Sequence, residues 1–190
     1  MYRKNIFKVA FIGSSGVGKT SLIKSFLGES VEKVKTTIGI DFYYLKKDDH
    51  EVIIWDFAGQ KWFREAIINM LKGASLIVMV FDLSRPRTLV DLINSWSVHV
   101  KELCGEETFT LVVGNKKDIK KINDELIEEG LKKLAEKVRV EMYIQTSALY
   151  GENVSNLFQA IFEIVKLLSS LSRTKKSMTI REAPTLMKLK

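Results

Sequence analysis

Short apolar runs alternate with stretches of helical periodicity along most of this chain. Phe7 to Ile12 is almost wholly apolar and ends at Gly13, the pattern of a buried strand. A helix from about Gly18 to Leu27 follows, stopped by Gly28. Ile40 to Leu45 and Val52 to Trp55 are rich in β-branched and aromatic residues. They flank the polar segment Lys46-Lys47-Asp48-Asp49-His50, which predicts a hairpin. Leu76 to Phe81 and Phe109 to Val113 have the near-continuous apolarity of parallel strands covered on both faces, and Met142 to Ile144 gives a last strand. Val90, Ile93, Trp96, Val100 and Leu103 recur at helical spacing behind Pro86, whose missing N–H costs little near a helix start. Val154, Leu157, Phe158, Ile161, Val165 and Leu168 mark a final amphipathic helix. The alternation predicts an α/β domain with a mostly parallel six-stranded sheet, one antiparallel strand and helices on both faces. Ligands should then bind at the carboxyl ends of the strands.

Composition narrows the picture. The 190 residues suit one domain. A single cysteine, Cys104, excludes an internal disulfide and a cysteine-based zinc site, and a reducing cytoplasm is the expected compartment. No secretory leader and no run of ~20 uninterrupted apolar residues is visible. The net charge of +7 lies mostly in the tail, where Arg173, Lys175, Lys176, Arg181, Lys188 and Lys190 face only Glu182. That leaves residues 1–171 close to neutral, so nucleic acid is not an expected partner. Residues 1–171 are read as the domain, and 172–190 as a basic, flexible tail. His50 and His99 are isolated and lack metal-ligand spacing.

Four boxes carry the chemistry, each placed just after an expected strand. Gly13-Ser14-Ser15-Gly16-Val17-Gly18-Lys19-Thr20 has the spacing of a phosphate loop. Its glycines let backbone N–H groups turn inward around phosphates, and the following helix adds the positive end of its dipole. Ser15, Gly16, Val17, Gly18, Lys19, Thr20 and Ser21 are the expected phosphate-side residues. Lys19 would reach the β and γ phosphates, and Thr20 would offer a hydroxyl to Mg²⁺. Asn115-Lys116-Lys117-Asp118 then selects the base. The Asp118 carboxylate can accept from the guanine ring N–H and its exocyclic amine, an edge that adenine lacks. Asn115 can tie this loop to the phosphate loop, and the stem of Lys116 can pack over the ring. Thr146-Ser147-Ala148 would bring backbone N–H groups of Ser147 and Ala148 toward the guanine oxygen, with Leu149 beside them. In Asp56-Phe57-Ala58-Gly59-Gln60, Asp56 would hold Mg²⁺ through a water. Gly59 would offer its N–H to the γ-phosphate, and Gln60 would orient the attacking water.

Together these residues closely resemble the small GTPases of the Ras superfamily, the Rab branch in particular, over roughly residues 4–171. Ser15-Gly16, Thr37-Ile38-Gly39-Ile40-Asp41-Phe42 and Trp55-Asp56 with Phe63-Arg64 carry the Rab-like detail. The resemblance implies a P-loop NTPase fold, GTP and GDP as ligands, Mg²⁺ as cofactor, and slow GTP hydrolysis by a monomeric switch. It makes Thr37 the threonine that meets Mg²⁺ and the γ-phosphate, beside its neighbour Thr36. Effectors, an exchange factor and an activating protein are the implied partners, reading the switch segments around Thr36–Phe42 and Ala58–Met70. Phe42 and Trp55 match two members of the Rab aromatic patch, with Met70-Leu71 where a third is expected.

The chain departs from the family in three places. Glu29 to Lys35 holds no aromatic to cover the base, and Val34 stands where relatives have a tyrosine over the phosphates. With only Val31 to cover the ring, exchange is expected to be faster than in close relatives; GDP release over hours would oppose this. Leu149 stands in place of a lysine, and the terminal Met187-Lys188-Leu189-Lys190 has no cysteine, so no lipid anchor is expected. Weak attraction of the tail to an anionic membrane would then give a cytoplasmic protein a peripheral membrane location. No arginine finger supplied in cis is identified; a partner's arginine adds ~10³–10⁵-fold in relatives of the resembled family. The competing expectations are a GTP-holding scaffold with negligible hydrolysis and a Roc-type GTPase domain. A P-loop kinase is disfavoured by the Asn-Lys-x-Asp box.

Overall fold

The structure, a computed structural model, describes residues 6–32, 34–105 and 108–181. Among these, six strands form one sheet: β1 (Ile6–Ile12), β2 (Ile40–Lys47), β3 (His50–Phe57), β4 (Leu76–Asp82), β5 (Phe109–Asn115) and β6 (Val140–Gln145). Their order is β2-β3-β1-β4-β5-β6. The β2–β3 hairpin is antiparallel and every other pairing is parallel, as the alternation of apolar runs predicts. The helices are α1 (Lys19–Phe26), α2 (Lys61–Ile67), α3 (Arg87–Asp91), α4 (Ser97–Cys104), α5 (Asp124–Ala135) and α6 (Val154–Arg181). A π-helical turn, Leu92–Trp96, joins α3 to α4.

Strand alternation splits the core into two halves. Phe7, Val9 and Phe11 of β1 pack with Leu22 and Ile23 of α1 and with Leu157, Phe158 and Ile161 of α6. Ala10 and Ile12 point to the opposite face, toward Phe57, Met79, Trp96 and Leu134. From Val9 to Ile12 the strand is therefore covered on both faces and has no room for a polar side. Phe26 and Phe158 stack with centroids 3.8 Å apart, which pins α1, and the loop before it, to α6. Each fully buried aromatic or aliphatic side chain contributes roughly 1.5–3 kcal/mol. The scaffold beneath the loops is correspondingly rigid.

Several elements differ from the sequence expectation. α5 is an additional helix; its start is set by Asn123, whose side chain accepts from the Leu126 N–H at 2.9 Å, with Ile127 and Leu134 buried behind it. Val90, grouped by spacing with the inner stripe of its helix, is exposed. The wider π turn brings Leu92, Ile93, Trp96 and Ser97 inward instead. The segment 172–190, expected as a flexible tail, is helical backbone as far as Arg181, and 182–190 lies outside the described residues. No glycine or proline interrupts Val154 to Arg181, and Pro184 is the first breaker beyond. By length and composition Val154–Leu171 could cross a membrane. Within that stretch Val154, Leu157, Phe158, Ile161 and Val165 are buried in the core, whereas Leu167 and Leu171 are exposed.

Candidate functional site

The loop from Gly13 to Gly18 leaves the carboxyl end of β1 and opens directly into α1. Gly18 has φ +97°, and a Cβ placed there would lie 2.2 Å from Asn115 Nδ2. Glycine is required twice at this position, by the dihedral and by the close approach of the base-side loop. The Lys19 ammonium folds back over the loop, donating to Gly13 O at 2.9 Å and Ser14 O at 3.1 Å. A cavity of about 250 Å³ lies against Ser15, Gly16, Gly18, Lys19, Thr20 and Ser21. Its far wall includes Val31, Val34, Thr37, Gly59 and Lys116. Val17 is fully buried beneath the loop, so its side chain is core.

Below Lys19 three oxygen-bearing side chains converge. The Thr20 hydroxyl donates to Asp56 Oδ2 at 2.5 Å and lies 2.9 Å from the Thr37 hydroxyl, which itself donates to Asp56 Oδ2 at 3.3 Å. Of the two adjacent threonines, Thr37 is the one that joins this cluster. Asp56 is fully buried, and its Oδ1 has no hydrogen-bond partner among the described residues. Burial pushes the Asp56 carboxyl up, with Lys19 and the Thr20 hydrogen bond pulling the other way. An orphaned buried carboxylate oxygen beside two hydroxyls is the hard-oxygen donor set that suits Mg²⁺. The residues present fit that cation.

Gly59 closes the phosphate side. A Cβ there would fall 2.4 Å from Ser14 C and Ser15 N and 2.5 Å from Gly13 O, all backbone atoms. The Gly59 backbone is thus packed flat on the phosphate loop, with half-buried Gln60 next and exposed Trp62 starting the outer surface. The side chains of Phe63 and Arg64 lie outside the described residues.

On the base side, Asn115 at the end of β5 is the central tie. Its Nδ2 donates to Val17 O at 2.9 Å, and its Oδ1 accepts from the Thr146 hydroxyl and the Ala148 N–H, both at 3.1 Å. One buried amide therefore joins three of the boxes. Asp118 is exposed, and its Oδ1 accepts from the Ser147 hydroxyl at 2.5 Å. The Ser147 N–H donates to Glu152 O at 3.1 Å and the Ala148 N–H to Asn115, so both amides have acceptors within the protein. The Ser147 hydroxyl holds the Asp118 carboxylate in place. Leu149 is exposed at the rim.

Asp82, Ser84 and Arg85 were not singled out by the sequence; their only signal is position just after an apolar strand. Asp82 is fully buried and accepts at Oδ2 from Lys116 Nζ and Arg85 Nε, both at 2.7 Å. Its Oδ1 accepts from the Ser84 N–H and hydroxyl. Burial alone would raise its pKa, but the hydrogen bonds from Lys116, Ser84 and Arg85 outweigh it and hold the carboxyl below its usual range. A carboxyl lowered on folding adds stability above its unfolded pKa and loses it as pH falls through the folded value. Thermal unfolding of wild type and Asp82→Asn should therefore differ by a constant amount between neutrality and pH ~5, about 1.5–3 kcal/mol, and converge only in stronger acid. A gap that closes already near neutrality would remove Asp82 from this role.

The outer surface of β2 and β3 is aromatic. Phe42 is 58% exposed and meets Trp55 edge to face, with centroids 4.7 Å apart. Lys8 Nζ lies 3.7 Å from the centre of the Trp55 ring and also donates to Met70 O and Lys72 O. At the expected third position Met70 is exposed while Leu71 is fully buried, so Met70 alone faces outward.

A phosphate loop bound to an Asn-Lys-x-Asp loop through one buried asparagine marks the GTP-binding class of P-loop proteins. The Ras family model matches residues 8–167, and the chain belongs to that family. It is Rab-like: the Ras-related protein RABC2a of Arabidopsis thaliana is 33% identical over 187 residues, spanning 94% of this chain and 88% of the relative.

Proposed function

We propose that this Rab-like small GTPase binds GTP and GDP with Mg²⁺ in the cavity between the phosphate loop and Thr37. It hydrolyses GTP slowly to GDP and phosphate, and presents its switch segments to effectors in the GTP state. The observation that carries this reading is the Thr20–Thr37–Asp56 cluster with its orphaned carboxylate oxygen, within electrostatic reach of Lys19. Bound Mg²⁺ would be held by Thr20 and Thr37, with Asp56 acting through a water, and would supply charge neutralisation at the β and γ phosphates.

Lys19 exchanges its two carbonyl partners for phosphate oxygens and so holds the transferred group. Gly59, already lying on the loop, offers its N–H to the γ-phosphate, and Gln60 orients the water that attacks it. Loss of that phosphate releases Thr37 and Gly59 together, which loosens both switch segments. The surface of Phe42, Trp55, Ile38 and Met70 then changes shape. Effectors, an exchange factor and an activating protein read that change.

Nucleotide extraction from the purified protein, followed by single-turnover GTP hydrolysis, tests the reading. Bound guanine nucleotide with measurable turnover supports it; bound nucleotide with no turnover leaves a scaffold. Gln60→Leu should slow hydrolysis about a hundredfold while leaving GTP binding within a few-fold. Unchanged turnover in that variant would remove Gln60 from the mechanism. The basic segment 172–190 gives the protein a cytoplasmic, membrane-peripheral location through anionic headgroups, at about 1 kcal/mol per Lys or Arg near the surface. Sedimentation with anionic liposomes should fall when 172–190 is removed, and equal sedimentation of the two forms would end this proposal.

A further inference from the structure

The phosphate loop is supported from outside by the segment that follows β4. The Ser14 hydroxyl donates to Asp91 Oδ2 at 2.6 Å, and the buried Trp96 indole N–H donates to the same oxygen at 3.2 Å. One residue on, Arg85 Nη2 donates to Ser15 O at 3.1 Å while its Nε holds Asp82. The next residue, Gly16, has φ +70°, and a Cβ built on it would lie 3.5 Å from Arg85 Nη2. The guanidinium therefore lies against the Ser15–Gly16 peptide.

That peptide is planar and trans, so its C=O and N–H point in opposite directions. Arg85 draws the Ser15 carbonyl outward, and the Gly16 N–H must then face the other way. Both residues line the cavity. The neighbouring glycine has no Cβ to resist rotation of this peptide, so the plane is held by its partners rather than by its own dihedral preference. We propose that Arg85 is a positioning residue for nucleotide retention, locking the Ser15–Gly16 peptide so that the Gly16 N–H is presented to a nucleotide polyphosphate. The inference rests on the guanine-nucleotide reading of the cavity.

An arginine is required by the geometry. One planar fork reaches the buried Asp82 with Nε and the loop carbonyl with Nη2, and fixes the distance between them. A lysine has a single nitrogen and can keep the charge beside Asp82 but cannot serve both partners as a rigid pair. Asp82 also holds Lys116 of the base-side loop, so an effect on phosphates has to be separated from an effect on the base.

The test compares Arg85→Met and Arg85→Lys with wild type, each loaded with GDP. Release of a fluorescent GDP is followed, and affinities for GDP and GMP are measured by competition. Both variants should release GDP roughly tenfold faster, with GMP affinity changed less than about twofold, because GMP lacks the outer phosphate. Arg85→Lys should recover thermal stability without recovering GDP retention, which a merely structural arginine would not do. Release within twofold of wild type in Arg85→Lys, or equal weakening of GMP and GDP, overturns the proposal. If Arg85→Met fails to fold, Arg85→Lys still decides it. Wild-type protein that retains no GDP would instead overturn the nucleotide reading, and this inference with it.

Discussion

Asp118→Asn should cost the protein its preference for guanine and turn it toward xanthine nucleotides. Asp118 Oδ1 is fixed by the Ser147 hydroxyl, so the carboxylate has one orientation rather than many. Guanine presents two adjacent donors to that acceptor pair, and an amide nitrogen would face one of them with a donor of its own. A polar group left facing a like group costs the site its desolvation penalty as well as the lost bond. Guanine affinity should fall about a hundredfold or more, while xanthine, with a carbonyl in place of the exocyclic amine, should gain. Competition of GDP and xanthosine diphosphate against a fluorescent nucleotide reads both changes. A variant that keeps full guanine selectivity would move the base site away from this loop. Asn115 should be unaffected, because its partners are Val17, Thr146 and Ala148 rather than Asp118.

Gly59→Ala should separate binding from switching. The added methyl would fall within 2.5 Å of three backbone atoms of the phosphate loop, and none of them belongs to a side chain that can rotate away. The second switch has to lift off the loop, carrying Gln60 with it. GDP binding, built mainly by Gly13 to Thr20 and the base-side loops, should stay within a few-fold of wild type. GTP hydrolysis should fall about a hundredfold, since an ångström-scale displacement of a positioning group costs that much. Exposed Trp62 lies three residues away, and its fluorescence change between GDP and GTP states should shrink or vanish. Normal hydrolysis with a normal Trp62 response would show that the Gly59 contact is incidental.

Much of the fold was legible because strand and helix impose different periods on the same apolar residues. Leu76 to Phe81 reads as a doubly buried strand and is one; Val154 to Leu168 reads as a core helix and is one. The boxes are likewise legible as a phosphate-loop pattern and an Asn-Lys-x-Asp pattern, because their spacing is set by local backbone geometry. Val90 was misplaced because a π turn shifts helical phase without leaving a mark in composition. α5 was missed because its buried residues are few and its charged face dominates the segment.

Local spacing alone reveals which groups are present: a glycine loop with Lys19 and Thr20, an Asn-Lys-x-Asp box ending at Asp118, and a glutamine after Gly59. These are short-range patterns, and a few consecutive residues suffice to specify them. Packing is what brings the Thr37 hydroxyl to Thr20 and Asp56, gives the Ser147 and Ala148 amides acceptors within the protein, and sets Arg85 against Ser15. Each of those contacts joins residues from different strands and loops. Their separation in space is set by sheet order and packing, which no local spacing encodes.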